Sequence, residues 1–182
     1  MALMVVDVQV GVMQECANAA QTIANVARTV ERARAAQVPV IWVQHESDEL
    51  KRDSDAWQWV PALVPAAGEA RVYKQFNSSF EQTNTDELLA QAGVSHIVLA
   101  GAQSNWCIRA TAYGALERGY DLTLVKDAHT TSDLDLGNGT RIDAATIVRD
   151  LNVTMKWLQY PGRRNAVAAA EEVVFGGTVR NG

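Results

Sequence analysis

Cysteine is scarce in this chain. Cys16 and Cys107 are the only two among 182 residues. They lie far apart and do not make the dense disulfide framework on which small secreted domains rely. An excess of positive charge is also missing: 16 Lys and Arg against 21 Asp and Glu leave a net charge of −5, with the two signs mixed along the chain. Nucleic-acid and anionic-membrane partners need clustered Lys and Arg, so both are excluded as expectations. No apolar run approaches the roughly 20 residues that span a bilayer. No basic stretch with a long apolar core and a small-residue cleavage site precedes Asp7. A soluble, cytoplasmic protein is expected. Internal repeats, low-complexity tracts and linkers are lacking as well, and no glycine-rich phosphate loop follows the first apolar run, which argues against a flavodoxin-like nucleotide binder.

What is present is ordinary globular composition, 48% hydrophobic and 20% charged, in a chain long enough for one domain that buries about 70% of its unfolded surface. A single domain over residues 1–182 is expected. Short apolar runs alternate with amphipathic segments. Residues 3–6, 40–43, 71–73, 97–100 and 122–125 read as strands, with a last strand at 153–155. Residues 22–37, 85–92, 105–118 and 140–151 read as helices, with a further helical piece at 166–174. Pro39 ends the first helix through its constraint on Val38. Residues 46–68 read mostly as loop. Continuous apolar strands between helices predict an α/β fold: a three-layer α/β/α sandwich around a mostly parallel sheet of about six strands.

In such sheets ligands bind beyond the carboxyl ends of the strands. Asp7 follows the first strand, Lys74 the third, and Cys107 lies just past the fourth. Together they supply a base, a cation and a nucleophile. Taken singly, each has a plainer role: a turn aspartate, a solvated lysine, a buried inert thiol. The stretch from Gly101 to Cys107 joins strand to helix and places the thiol near a helix N-terminus. Free N–H groups and the helix dipole there favour the thiolate, and a neighbouring Lys74 would lower its pKa further.

The chain resembles the isochorismatase-like cysteine hydrolases, a Rossmann-like superfamily, from Leu3 to about Ser132. Four ordered motifs carry the resemblance: Val5-Val6-Asp7-Val8-Gln9, Lys74 with Phe76-Asn77-Ser78-Ser79-Phe80, Gly101 to Ile108, and Lys126-Asp127-Ala128-His129-Thr130-Thr131. The Gln103-Ser104 pair before the cysteine is similar to one subgroup. The resemblance implies a catalytic triad of Asp7, Lys74 and Cys107, a cis peptide between Ala102 and Gln103, and an oxyanion hole from the N–H groups of Gln103 and Cys107. It implies hydrolysis of an amide-type C–N bond through a thioester, with no cofactor. The metal-dependent nicotinamidases of the superfamily carry an Asp-x-His element after the second strand. Here the segment reads Gln44-His45-Glu46-Ser47-Asp48, so no metal is expected and His45 reads as a pocket-wall or structural residue. The alternatives are a vinyl ether hydrolase of the isochorismate type and a non-enzymatic binding protein on the same fold.

For a small-molecule substrate, Trp57, Trp59, Trp106 and Phe80 are the expected pocket walls, with Gln9, Asn105 and His129 as polar contacts. Trp57 and Trp59 have a second reading, burial in a subunit contact of a homo-oligomer (dimer or tetramer). His129 has one too, anchoring the loop after the fifth strand. Cys16 is expected to be a bystander.

Overall fold

The computed structural model describes residues 1–176. Its elements are β1 (Ala2–Val6), α1 (Val10–Met13), α2 (Ala19–Ala35), β2 (Val40–His45), β3 (Ala70–Lys74), α3 (Thr85–Gln91), β4 (His96–Ala102), α4 (Arg109–Glu117), β5 (Asp121–Thr130), β6 (Leu134–Asp135), β7 (Arg141–Ile142), α5 (Ala144–Trp157) and β8 (Asn165–Ala168). A π-type turn over Ser104–Ile108 leads into α4. Six strands form one sheet in the order β3-β2-β1-β4-β5-β8, and every pairing in it is parallel. The antiparallel pair β6–β7 stands apart.

Every residue of β1 is buried because the sheet is covered on both faces. The two sides of the strand feed separate cores. Ala2, Met4 and Val6 pack with Leu89 of α3, Ala112 and Leu116 of α4, and Leu151 and Met155 of α5. Leu3 and Val5 pack with Val26, Val30 and Ala33 of α2, and with Ala170 and Val173 of the C-terminal segment. The result is the three-layer sandwich expected from the alternation of elements.

Two segments differ in type from the sequence reading, and several boundaries move by a few residues. Residues 153–155 are not a strand but the last turns of α5, where Ile147, Leu151 and Met155 place buried side chains at four-residue spacing. That helix starts at Ala144, because the Asp143 side chain accepts the Thr146 backbone N–H as an N-cap. The sixth strand is β8, which overlaps the start of the segment read as helical. Its alanines carry helical propensity, but Leu122–Val125 of β5 offer it an open edge and tertiary pairing prevails.

Strand order reverses between β1 and β4, which opens a crevice at their carboxyl ends. The two strands approach so closely there that a Cβ on Gly101 would sit 1.9 Å from the Val6 carbonyl oxygen, and Gly101 also has φ of +130°. Only glycine satisfies both conditions. Among the described residues no helix is long and apolar enough to cross a membrane.

Candidate active site

The sheet register brings the chemistry together. Val6 aligns with Val43 of β2 and with Gly101 of β4, and His45 aligns with Lys74 at the end of β3. Asp7, His45 and Lys74 therefore leave three adjacent strands at one rim. The turn after β4 returns Cys107 to the same point. Asp7 itself has φ of +53°, a left-handed conformation that aspartate tolerates better than most residues. The Asp7 N–H donates to the Val43 carbonyl at 2.9 Å.

Lys74 is the centre of the cluster. Its Nζ donates to Asp7 Oδ2 at 2.7 Å and to Cys107 Sγ at 3.2 Å, and lies 3.2 Å from His45 Nδ1. All three ammonium protons thus have acceptors, in a side chain almost fully removed from solvent. Asp7, His45 and Cys107 present donor atoms within 4.8 Å of one another, a set of the kind that holds metal ions. The lysine supplies a cation of its own among them.

The electrostatics follow from burial and these partners. Burial works against the Lys74 ammonium, yet the negative charges available on Asp7 and Cys107 outweigh it and hold the group above the usual lysine range. Burial pushes the Cys107 thiol up to about 12, the Asp7 carboxylate pushes the same way, and Lys74 only partly opposes them. This reverses the expected lowering. The expectation counted Lys74 and the helix terminus and left out the buried carboxylate. Burial and then Lys74 lower His45, so the ring is neutral at pH 7 and Nδ1 accepts from the ammonium.

Beside the cluster lies a cavity of about 440 Å³, with Asp7, His45, Gln103, Trp106 and Cys107 among its lining residues. The remaining walls come from two stretches that gave no signal in the sequence. One is α1 and the residues after it, including Gly11, Val12 and Glu15; the other is the loop after β2, including Ser47, Glu49 and Leu50. Gly11 allows the two to meet, because a Cβ there would come within 2.9 Å of Leu50 Cδ2. Asn77 also lines the cavity, and its Oδ1 lies 3.9 Å from Cys107 Sγ.

Of the expected substrate contacts, Trp106 stands at the rim, about half exposed. Six others lie outside the cavity lining. Trp57 is buried against Tyr73, with ring centroids 5.8 Å apart. Trp59 meets Trp42 edge to face at 5.0 Å. Phe80 belongs to the core, stacked on Tyr120. Asn105 accepts from the Thr131 hydroxyl. His129 is enclosed between Ser104 at 2.8 Å and Asn152 at 3.0 Å, so it anchors the end of β5. Gln9 is completely buried: its amide donates to the carbonyls of His45 and Trp57 and accepts the His45 N–H. That places Gln9 behind His45, fixing the rim of the cavity. Loop tryptophans signalled packing here because each found an aromatic partner.

The peptide between Ala102 and Gln103 is cis, as the resemblance implies. Cys16, the second thiol, is buried with its Sγ donating to the Val12 carbonyl at 3.3 Å.

The sequence and the fold both have counterparts among known proteins. The Isochorismatase domain family matches residues 1–147. The chain is 33% identical over 144 residues to a streptothricin hydrolase of Streptomyces noursei, covering 76% of this chain and 57% of that protein. It is 32% identical over 129 residues to the secreted isochorismatase effector Isc1 of Verticillium dahliae, covering 69% of this chain and 65% of the relative. The chain therefore spans between about half and two-thirds of the length of these curated relatives. Among solved structures, an isochorismatase from Pseudomonas putida KT2440 superposes with a TM-score of 0.82 at 28% identity, covering 93% of this chain and 88% of the other.

Proposed function

The chain belongs to the isochorismatase family, and on that premise we propose that it is a cysteine-dependent hydrolase that cleaves the C–N bond of a small amide through a thioester on Cys107. The observation that carries this reading is the placement of one ammonium, Lys74 Nζ, on both a carboxylate and a thiol at the edge of an open cavity.

The cluster of Asp7 carboxylate, Lys74 ammonium and Cys107 thiol is electrically neutral. Losing the thiol proton to solvent would leave a buried net negative charge, and that is why the thiol sits high. Passing the same proton to Asp7 leaves the net charge of the cluster unchanged and puts the new thiolate beside Lys74. A high thiol pKa and a reactive sulfur are therefore compatible. The proton stays inside the site.

In the proposed reaction Asp7 takes the Cys107 proton and the sulfur attacks the amide carbonyl carbon. The N–H groups of Gln103 and Cys107 receive the resulting oxyanion. Asp7 returns the proton to the departing nitrogen as the C–N bond breaks, leaving a thioester. A water then gives its proton to Asp7 and adds to the thioester. Collapse of this second adduct expels the sulfur, which regains the proton from Asp7 and frees the carboxylic acid. Lys74 remains charged throughout. Positioned acid–base catalysis contributes on the order of 10²–10⁴ in rate, and an oxyanion donor about 10²–10³.

His45 completes the arrangement by accepting the third Lys74 proton, and Gln9 holds the His45 backbone. Release of ammonia or amine from a panel of small amides, ureides and carbamoyl compounds tests the reading. Turnover by the native protein that disappears in Cys107→Ala is expected. Turnover retained in that variant would overturn it.

A further inference from the structure

The cavity has a charge pattern of its own. Among the described residues its lining includes three carboxylates, Asp7, Glu15 and Glu49, and no lysine or arginine. Lys74 lies beside the first of these with its protons already committed. Glu15 and Glu49 come from different segments, one following α1 and the other in the loop after β2. Both are exposed at the cavity mouth. Neither makes a hydrogen bond or ion pair among the described residues, so no neighbouring cation neutralises them, while the half-buried Glu46 and Glu69 take Arg52 and Arg34. Arg52, in the same loop as Glu49, is turned to Glu46 and lies over the Tyr73 ring at 4.3 Å.

A second observation comes from the cavity floor. Asp7 is 1% exposed, and its Oδ1 is buried without a hydrogen-bond partner, while Oδ2 holds Lys74. Buried polar atoms are rarely left unmatched, and Asp7 lines the cavity. With Oδ2 committed to Lys74, Oδ1 is the oxygen left to take the Cys107 proton and hand it to the leaving nitrogen, so that nitrogen has to come to rest beside Asp7. The Asp7–Lys74–Cys107 floor is neutral as a whole, so the net negative charge of the cavity lies on Glu15 and Glu49.

From this pattern we propose that the substrate is a cationic amide: a primary or secondary carboxamide bearing an ammonium or guanidinium group, whose leaving nitrogen lies beside Asp7 and whose positive charge is received by Glu15 and Glu49. The proposal rests on amide hydrolysis at this cavity and adds the substrate class. A carboxylate-bearing amide would meet two like charges at the mouth and no compensating cation. Each such encounter near a protein surface changes affinity by about tenfold at low salt, and salt weakens it.

The test uses three amides of one skeleton: hexanamide, its ω-amino derivative and its ω-carboxylate derivative. Two quantities are measured: kcat/KM on the native protein, and binding by calorimetry to Cys107→Ala, which cannot turn them over. The expected order in both is amino, then neutral, then carboxylate, spaced by about tenfold at low ionic strength and compressed at high salt. In the double variant Glu15→Gln with Glu49→Gln, the ratio of amino to neutral substrate should fall toward one. Hydrolysis of all three amides without preference for the amino compound would overturn the cationic assignment and leave the hydrolase reading intact. Tighter binding of the amino compound, abolished in the double variant, with no turnover of any amide, would support the cationic site and defeat the proposed chemistry.

Discussion

The segment after α1 and the turn after β4 each bury one cysteine, and the contrast between them shows what separates a candidate nucleophile from an inert thiol. Burial does not separate them, since Cys16 and Cys107 are 9% and 8% exposed. The direction of the pKa shift does not separate them either: burial raises Cys16 to about 11 and Cys107 to about 12. The difference is in the neighbours. Cys16 donates to a backbone carbonyl and accepts a long contact at 3.8 Å from the Gln103 amide. Neither group can take its proton. Cys107 has a carboxylate close by, an ammonium at 3.2 Å and a place in the cavity wall. A thiol in a dry site becomes a nucleophile where a base stands inside the same site.

Breaking that comparison at its strong end has the largest expected effect. Cys107→Ala should reduce amide turnover by at least about 10³-fold, since the covalent route has no substitute, as followed by ammonia or amine release. Next is Lys74→Met, which removes the cation and leaves the Asp7 carboxylate buried without its partner. Removing one member of a buried ion pair costs about 3–5 kcal/mol, so denaturant midpoints should fall sharply. Lys74→Met combined with Asp7→Asn should recover much of the stability without recovering activity, which separates the structural from the chemical consequence.

A smaller effect should appear in stability against pH. His129 is held down to about 4 by burial, with the Asn152 hydrogen bond opposing, and His45 and His96 are lowered chiefly by burial. Below pH 6.5 the unfolded chain takes up protons that the folded chain refuses. Stability is therefore complete above pH 6.5 and declines as pH falls toward 4, by about 3 kcal/mol from His129 alone. On the alkaline side the unfolded thiols ionise near pH 9 while the folded ones hold their protons to about 11 and 12. Stability should decline again as pH rises from about 9 through that range. Urea titrations across pH check both limbs. The smallest effect belongs to Cys16→Ala, which should leave kcat/KM within about twofold and sharpen the contrast between the thiols.

The sheet was legible in the sequence because its central strands are buried on both faces. Residues 3–6 and 97–100 carry no polar side chain, and nothing but a covered parallel strand fits such short runs followed by amphipathic helices. The edge was not legible. β8 reads Asn-Ala-Val-Ala, and only pairing with β5 makes it a strand. Asp7, Lys74 and Cys107 could be placed because each stands at or just past the carboxyl end of a strand, so topology alone brings them to one rim. The cavity walls could not, since Gly11, Glu15 and Glu49 lie in short or irregular segments where no periodicity reports a facing side chain. Their charges read as solvated surface until the two segments are seen to meet. The thiol pKa was not legible for a related reason: burial raises it most, and strand order brings Asp7 as well as Lys74 to Cys107.

The most direct measurement of the central claim is intact and peptide mass spectrometry of the protein quenched during turnover of a slowly hydrolysed amide. A substrate-derived acyl group on the peptide containing Cys107, absent from the peptide containing Cys16, is the expected result. Sustained turnover with no acyl group on Cys107, or with the group on Cys16, would contradict it.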